Sequence, residues 1–564
     1  MYAKRMRGGA VLAAWLAIAG CGKNADVDAP LAFVPADTPY VAANLDPLPD
    51  VTVQRWAQQM KVAWPLLFGS FDHVLNELQK KEPDAAITRV LRALLDELRE
   101  RDSPEKWQQI GLGPKVRSAI YGVGLLPVLR IELVDVDAFR ATIARIEQKT
   151  GGKLATAKIG AQDIWTFGSD AVLGMMAIEG RHFVLTAVPA GADEALRRRV
   201  LGLDRPSQTL AHSGALPELN KARGYLAYGS GWIDVRRTLT LLLDDPSVAT
   251  LARSLGGQAP VFEPACRAEF DRIAANAPRL TFGYSALDAN RMAFQGRLDL
   301  APAIAQSLVR ITGAPPGPSA SKDALADFGF ALPLLKARDF WVEQATAVAK
   351  APLQCGVLAP LNQSFADAKA KLDQVIPPPL SDLTGLRATI SRFVWAEGTA
   401  KPDVSGVVLL GSSNPAFLVN LAQVSVPGLS NVKLGADGKP VALPAGTVPA
   451  DIAGDLEVHA AMSANALGIA VGKGEEARLG AAITAPAAPS GVLLDASYSG
   501  EIYALFGSLI GRFAEAMPPE QRDQLESQRK LYAFYATWFK RFDARVSVGN
   551  EGIDFRESVE FTAP

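Results

Sequence analysis

The body of the chain, residues 36–564, predicts an α+β fold: mainly antiparallel sheets with packed helices. Three observations carry that expectation. Short segments alternate apolar and polar residues with period two, as in Arg279–Asp288, where Leu280, Phe282 and Tyr284 share one face. Asp437-Gly438 and Asn550-Glu551-Gly552 are hairpin-turn signals. Helical stretches interleave with these strands, which places helices on one face of each sheet. The clearest spans roughly Asp84–Asp102, with Ile87, Val90, Leu91, Leu94, Leu95 and Leu98 as one stripe and Arg89, Arg92, Asp96, Arg99 and Glu100 on the solvated side.

The segment before the body reads differently. Lys4, Arg5 and Arg7 precede an apolar run, Val11–Ala19, too short to span ~30 Å of hydrocarbon but suited to the core of a secretory leader. The run ends in Ile18-Ala19-Gly20-Cys21, which resembles the lipobox of bacterial lipoproteins. The resemblance implies a signal peptide over residues 1–20 and acylation of Cys21, which becomes the first residue of the mature chain and anchors it to the bilayer. With Gly22 rather than Asp after the cysteine, it further implies an outer-membrane lipoprotein facing the periplasm. Residues 21–35 read as a lipidated tether without periodicity. Beyond the lipobox, the body has only a diffuse resemblance to uncharacterised large α+β lipoproteins of Gram-negative bacteria, which implies no activity.

Composition narrows the classes of function. The chain has 564 residues, 49% hydrophobic and 21% charged, with 58 Lys and Arg against 59 Asp and Glu. It has the apolar content to build cores, so disorder is excluded. Without a basic surplus to displace counterions, no nucleic acid is expected as a partner. Loss of residues 1–20 removes three cations and no anion, leaving 55 against 59. Attachment to the membrane then rests on the acylated Cys21 alone.

A second break falls at 313–322, where Gly313, Pro315, Pro316, Gly317 and Pro318 rule out a helix or central strand. This linker divides the body into lobes 36–312 and 323–564. The lobes repeat a pattern in the same order. Tyr40–Leu45 answers to Phe328–Leu332, Val128–Leu133 to Val407–Leu410, Phe183–Val188 to Leu467–Val471, and Tyr225–Gly231 to Leu494–Gly500. The final hairpins match Arg279–Leu298 to Ala544–Val559, with Phe294 and Phe555 in equivalent places. Five matches in order predict a tandem duplication.

After Cys21, only Cys266 and Cys355 remain; in an oxidising compartment two such residues are expected to pair, closing a loop of ~90 residues.

Chemistry is sparse. His73, His182, His212 and His459 have no partner at metal-ligand spacing, so no metal and no cofactor are expected. Gly229-Ser230-Gly231 lacks the spacing of a nucleophile elbow, and Gly472-Lys473-Gly474 lacks the rest of a phosphate loop. Asp244-Asp245 and Glu475-Glu476 are adjacent carboxylates, which diverge by ~100° on a helix. No catalytic residue is assigned. The remaining feature is Leu531–Phe542, read as one helix whose Phe534, Tyr535, Trp538, Phe539 and Phe542 form either core or an apolar binding face. The expected function is binding or scaffolding in the envelope, without catalysis. The alternatives are a carrier for an apolar ligand such as a lipid and, behind it, a hydrolase without a local motif.

Overall fold

The computed structural model describes residues 26, 28–81, 86–254, 256–258, 262–331, 333–395, 402–444, 447, 456–515 and 517–562. The leader, Cys21 and the start of the tether lie outside them. The described residues form an α+β structure in which nineteen strands share one antiparallel sheet. In the first half these are β1 (Tyr40–Asn44), β2 (Ser118–Val123), β3 (Leu126–Glu132), β4 (Ala155–Ile159), β5 (Gln162–Gly168), β6 (Val172–Glu179), β7 (His182–Pro189), β8 (Ser230–Asp234), β9 (Arg279–Leu287) and β10 (Arg291–Asp299). The second half adds β11 (Ala326–Ala331), β12 (Leu383–Val394), β13 (Asp403–Ser412), β14 (Val441–Ala442), β15 (Val458–Met462), β16 (Ala466–Val471), β17 (Val492–Ser499), β18 (Phe539–Gly549) and β19 (Gly552–Phe561).

Strand pairing gives the first half the order β4-β5-β6-β7-β3-β2-β1-β8-β9-β10. The second half has the order β14-β15-β16-β13-β12-β11-β17-β18-β19. The two orders correspond strand for strand apart from the outer edge, where β4 and β5 face only the two-residue β14. Each half places its opening strand centrally, between its second strand and the strand that leads to its final hairpin.

The halves are not separate sheets. β10 and β19 pair antiparallel from Arg291↔Glu560 to Asp299↔Gly552, which closes both ladders that would otherwise end in open edges. The Phe294 and Phe555 rings meet across this seam at 6.3 Å. Gly296 lies opposite Phe555, and a Cβ there would stand 2.0 Å from the ring, so the close approach requires glycine. Arg297 donates to Asp554 at 2.7 and 3.1 Å and also pairs with Glu551. Further contacts cross between halves, among them a helix pair and a disulfide. The helix Asp50–Lys81 packs on the helix Pro519–Trp538. Cys266, on the helix Pro264–Asn276, is joined by a disulfide to Cys355 beyond the helix Leu334–Lys350.

Both connecting segments differ from the sequence expectation. Residues 30–34, assigned to the tether, are packed: Pro30–Phe33 form a 3-10 turn and Val34 is fully buried in the first-half core with Val41, Tyr121 and Val128. Their apolar side chains give more by burial than a free tether gains in entropy. The 313–322 linker likewise lies on the second half, with Pro315 and Pro316 buried. The helix near 84–102 runs from Ala86 to Arg99, and its burial departs from the stripe. Leu91 and Leu94 are exposed, whereas Glu97 is buried beneath Arg101, Arg145 and Lys149. Ion pairs to both neighbours decide this: Arg92 and Arg99 reach Asp72 on one side, and Glu97 reaches the helix Val136–Thr150 on the other.

Candidate binding surfaces

The aromatic segment is not one helix. The helix ends at Trp538, and Phe539 and Phe542 belong to β18. An aromatic run fits either period, and pairing with β17 and β19 decides for strand here. Phe534 is buried, while Tyr535, Trp538 and Phe539 are only partly accessible. Trp538 stacks on Phe561 at 5.3 Å, and Phe542 on Tyr498 at 4.8 Å. These side chains make a packed cluster where the helix meets the sheet, in place of the open face that was the alternative.

Other sequence candidates are also absorbed by structure. Among the described residues no group of His, Cys, Asp and Glu could hold a metal ion. The Ser230 hydroxyl is buried without a hydrogen-bond partner. Asp244 pairs with Arg267, and Glu475 accepts from Ser391 and pairs with Arg478.

Among the described residues, each half buries one arginine almost completely, which the sequence reading missed. Arg130, on β3, has no solvent exposure. Its Nη2 donates to the Leu201 carbonyl at 2.7 Å, its Nη1 reaches Glu179 at 3.1 Å, and its guanidinium lies 3.7 Å from the Phe33 ring centre. Gly202 ends the helix Glu194–Leu201 at φ +76°, and a Cβ there would stand 2.3 Å from Nη2. Arg387, on β12, is bound by Asp327 at 2.5 Å and Asp495 at 2.9 Å and donates to the Pro316 carbonyl. In both halves the guanidinium holds the segment leading into the sheet, Phe33 in one and Pro316 in the other. These are structural clamps.

His182 lies against Arg130, with its ring edge-on to Phe33. Burial, then the adjacent Arg130 charge, pushes its pKa from 6.5 down to about 4. The unfolded chain therefore binds a proton near pH 6.5 that the folded chain refuses until about pH 4. Stability contributed by neutral His182 is complete above the upper value and is lost as pH falls toward the lower one. This shift predicts a fall of roughly 2 kcal/mol across that window. Chemical denaturation of wild type and His182→Gln at pH 7.5 and 4.5 checks it: the variant should lose less stability on acidification, and an unchanged difference would count against it.

The two faces of the sheet have opposite character. On one, a single row of directly paired residues crosses fifteen strands, from Met176 on β6 through Leu185, Leu129, Ile120, Ala42, Gly231, Phe282 and Gly296 to the seam. It continues through Phe555, Val546, Leu494, Phe330, Leu386 and Leu410 to Leu467 on β16. Every member is apolar or glycine, over a contour of roughly 70 Å at ~4.8 Å per strand. Among the described residues, six of the seven large apolar strand residues that are exposed project from this face: Ile120, Phe167, Ile233, Phe330, Val408 and Ile469. The seventh, Val394, is at the hairpin end of β12. Alternation in the sequence marked this face at Leu280, Phe282 and Tyr284 of β9; its continuity through the seam depends on register.

The opposite face is polar near the seam. A concavity of about 400 Å³ there is lined by Arg291, Lys322, Arg545 and Arg556 together with Asp495 and Asp543; Glu557, which also borders it, lies two residues from Phe555 and is a charged residue on the apolar side. Lys322 lies 3.5 Å from Asp543, and Arg545 reaches the Ser319 hydroxyl, so several of these charges are spent on the linker. A second concavity, about 290 Å³ and mostly apolar, lies beside the helix Asp50–Lys81. No protein-family model, no curated protein and no solved structure matches the chain.

Proposed function

We propose that this is a lipid-anchored envelope protein that acts by binding and performs no catalysis, with the apolar sheet face as its contact surface. The observation that carries the reading is the apolar row across fifteen strands, with six large side chains accessible on either side of the stretch near the seam that the helices Asp50–Lys81 and Pro519–Trp538 cover. Monomeric proteins rarely leave a broad apolar surface without an occupant, because its hydration is unfavourable. The partner is another envelope component that presents an apolar surface. Acylation of Cys21 holds the chain at the periplasmic side of the outer membrane, and the body stands beyond residues 22–29. The matching strand orders support an origin of the two halves by duplication, after which the equivalent final hairpins became one another's edge partners.

One experiment tests both anchor and surface. A photo-crosslinking amino acid is placed at Ile120, Val408 or Ile469, with exposed Lys371 as control, in cells fed a labelled fatty acid. The three face positions should give discrete adducts that Lys371 does not, and Cys21→Ser should abolish both label and adducts. Absence of adducts, or the same adducts from Lys371, would overturn the surface; a normally labelled Cys21→Ser chain would overturn the anchor.

A further inference from the structure

We propose that the polar concavity at the seam binds a phosphate monoester on a hydroxylated body, a sugar phosphate, held jointly by the two halves. It lies on the face opposite the apolar row and does not depend on that row.

Strand register builds the site. Ala293 of β10, Ser558 of β19 and Asp543 of β18 pair in one row across the seam. Ala293 and Ser558 are small, so this row forms a floor. Two residues along, Gln295, Arg556 and Arg545 pair in a second row, and residues two apart share a face. Arg291 stands two residues beyond Ala293 on the other side of the floor, and the linker closes a third wall with Ser319 and Lys322. The first half thus supplies Arg291, the second half Arg545 and Arg556. Arg545 and Arg556 are direct cross-strand partners, and like charges so placed cost stability unless an anion lies between them.

The carboxylates in the wall are already answered. Lys322 lies 3.5 Å from Asp543. Asp495 shares the buried Arg387 with Asp327, and Arg545, 4.0 Å from Asp495, is the second cation of that group. Glu560, paired with Arg291 in the register, is held by Lys540 at 3.3 Å. Arg291 and Arg556 are left over. Both are exposed and border the concavity, and among the described residues neither guanidinium has a hydrogen bond or an ion pair. Two unanswered positive charges match a dianion, and the guanidinium fork matches phosphate oxygens. The hydroxyls of Ser285, Ser319 and Ser558 border the same space, and their contacts within the protein, at 3.4–3.5 Å, are at the long limit of a hydrogen bond. They can therefore turn to hydroxyl groups of a ligand. Phe294 is the one large apolar residue among the described residues that border the concavity, which disfavours a hydrocarbon body. A volume of about 400 Å³ is within the ~300–1,000 Å³ of small-molecule sites.

The probe is glucose 6-phosphate, titrated calorimetrically into the full-length protein in phosphatidylcholine nanodiscs at physiological salt, where weak surface attraction is screened. We expect one ligand per chain and no binding of glucose. Inorganic phosphate should bind at least fivefold more weakly than the sugar phosphate. Arg291→Gln and Arg556→Gln remove side chains without partners, so both should unfold as wild type does, and each should weaken glucose 6-phosphate at least tenfold. Lys371→Gln, an exposed cation elsewhere, should stay within twofold. Bound ligand should slow amide exchange in β10 and β19 together. No binding, or unchanged binding in both arginine variants, would overturn the site. A loss in only one of them would overturn its sharing between halves. Equal affinity for inorganic phosphate would overturn the hydroxylated body. Displacement of the sugar phosphate by vesicles containing phosphatidate, but not by phosphatidylcholine alone, would overturn the soluble source and assign the same phosphate to a lipid headgroup. Crosslinking at Val408 should be unchanged in Arg556→Gln, so failure here and failure of the sheet-face reading are separable.

Discussion

Replacing Arg387 with methionine should lower the unfolding free energy by about 3–5 kcal/mol. Arg387, Asp327 and Asp495 are each about 2% exposed, and one guanidinium neutralises two carboxylates across three strands. Thr389 and the Ala320 amide donate to Asp327 and Asp495, and Arg545 stands 4.0 Å from Asp495 where that residue borders the seam concavity. Removing the cation therefore strands two buried negative charges, and that cost exceeds the worth of the ion pairs themselves. The triple variant Arg387→Met/Asp327→Asn/Asp495→Asn removes the stranded charges and should regain most of the loss. Urea titrations at pH 7 measure both. A single-variant effect below about 1 kcal/mol would show that the carboxylates are hydrated, and the clamp would then be dispensable.

The second large effect concerns the disulfide. Cys266→Ala/Cys355→Ala should cost about 2–4 kcal/mol, because the bond closes an 89-residue loop and removes much of that segment's freedom when unfolded. Both sulfurs are buried with Leu353 and Leu358, so two alanines also leave some packing unfilled. Because the bond joins a first-half helix to a second-half loop, amide exchange should quicken in helices 264–276 and 334–350 before it does in β3 or β13. Peptide mapping without reductant gives the direct check: one linked Cys266–Cys355 peptide is expected, and two free thiols would remove the basis of the prediction.

Much of the architecture was legible because strands and helices leave local signatures. Alternation in Leu280, Phe282 and Tyr284 marked β9, and four of the five ordered matches fall on strands that occupy corresponding places in the two orders; the fourth misses, because Tyr225–Gly229, matched to β17, precede the strand β8. What stayed hidden depends on residues distant in sequence. Arg387 in a strand reads as a solvent-facing cation; its partners lie 60 and 108 residues away. The β10–β19 seam has no local signal, since an edge strand and an interior strand have the same alternation. Phe539 and Phe542 were drawn into a helix because aromatics occur on nearly every side of that run. The concavity beside the helix Asp50–Lys81 was half visible: Trp56, Met60 and Trp64 follow helical spacing, but Arg101 and Trp107 join them only through the chain's return after Arg99.

The seam also sets an order of assembly. Arg297 waits for Asp554, 257 residues further along, and the whole β10 ladder waits with it. Until β19 arrives, the first half stands with the outer edge of its last strand open, β9 holding only the inner one. During that interval β10 is a template for any matching strand, and the best match in reach is β19 of another copy. Intermolecular strand exchange is thus the misassembly this topology invites, and nascent chains held apart until β19 emerges avoid it.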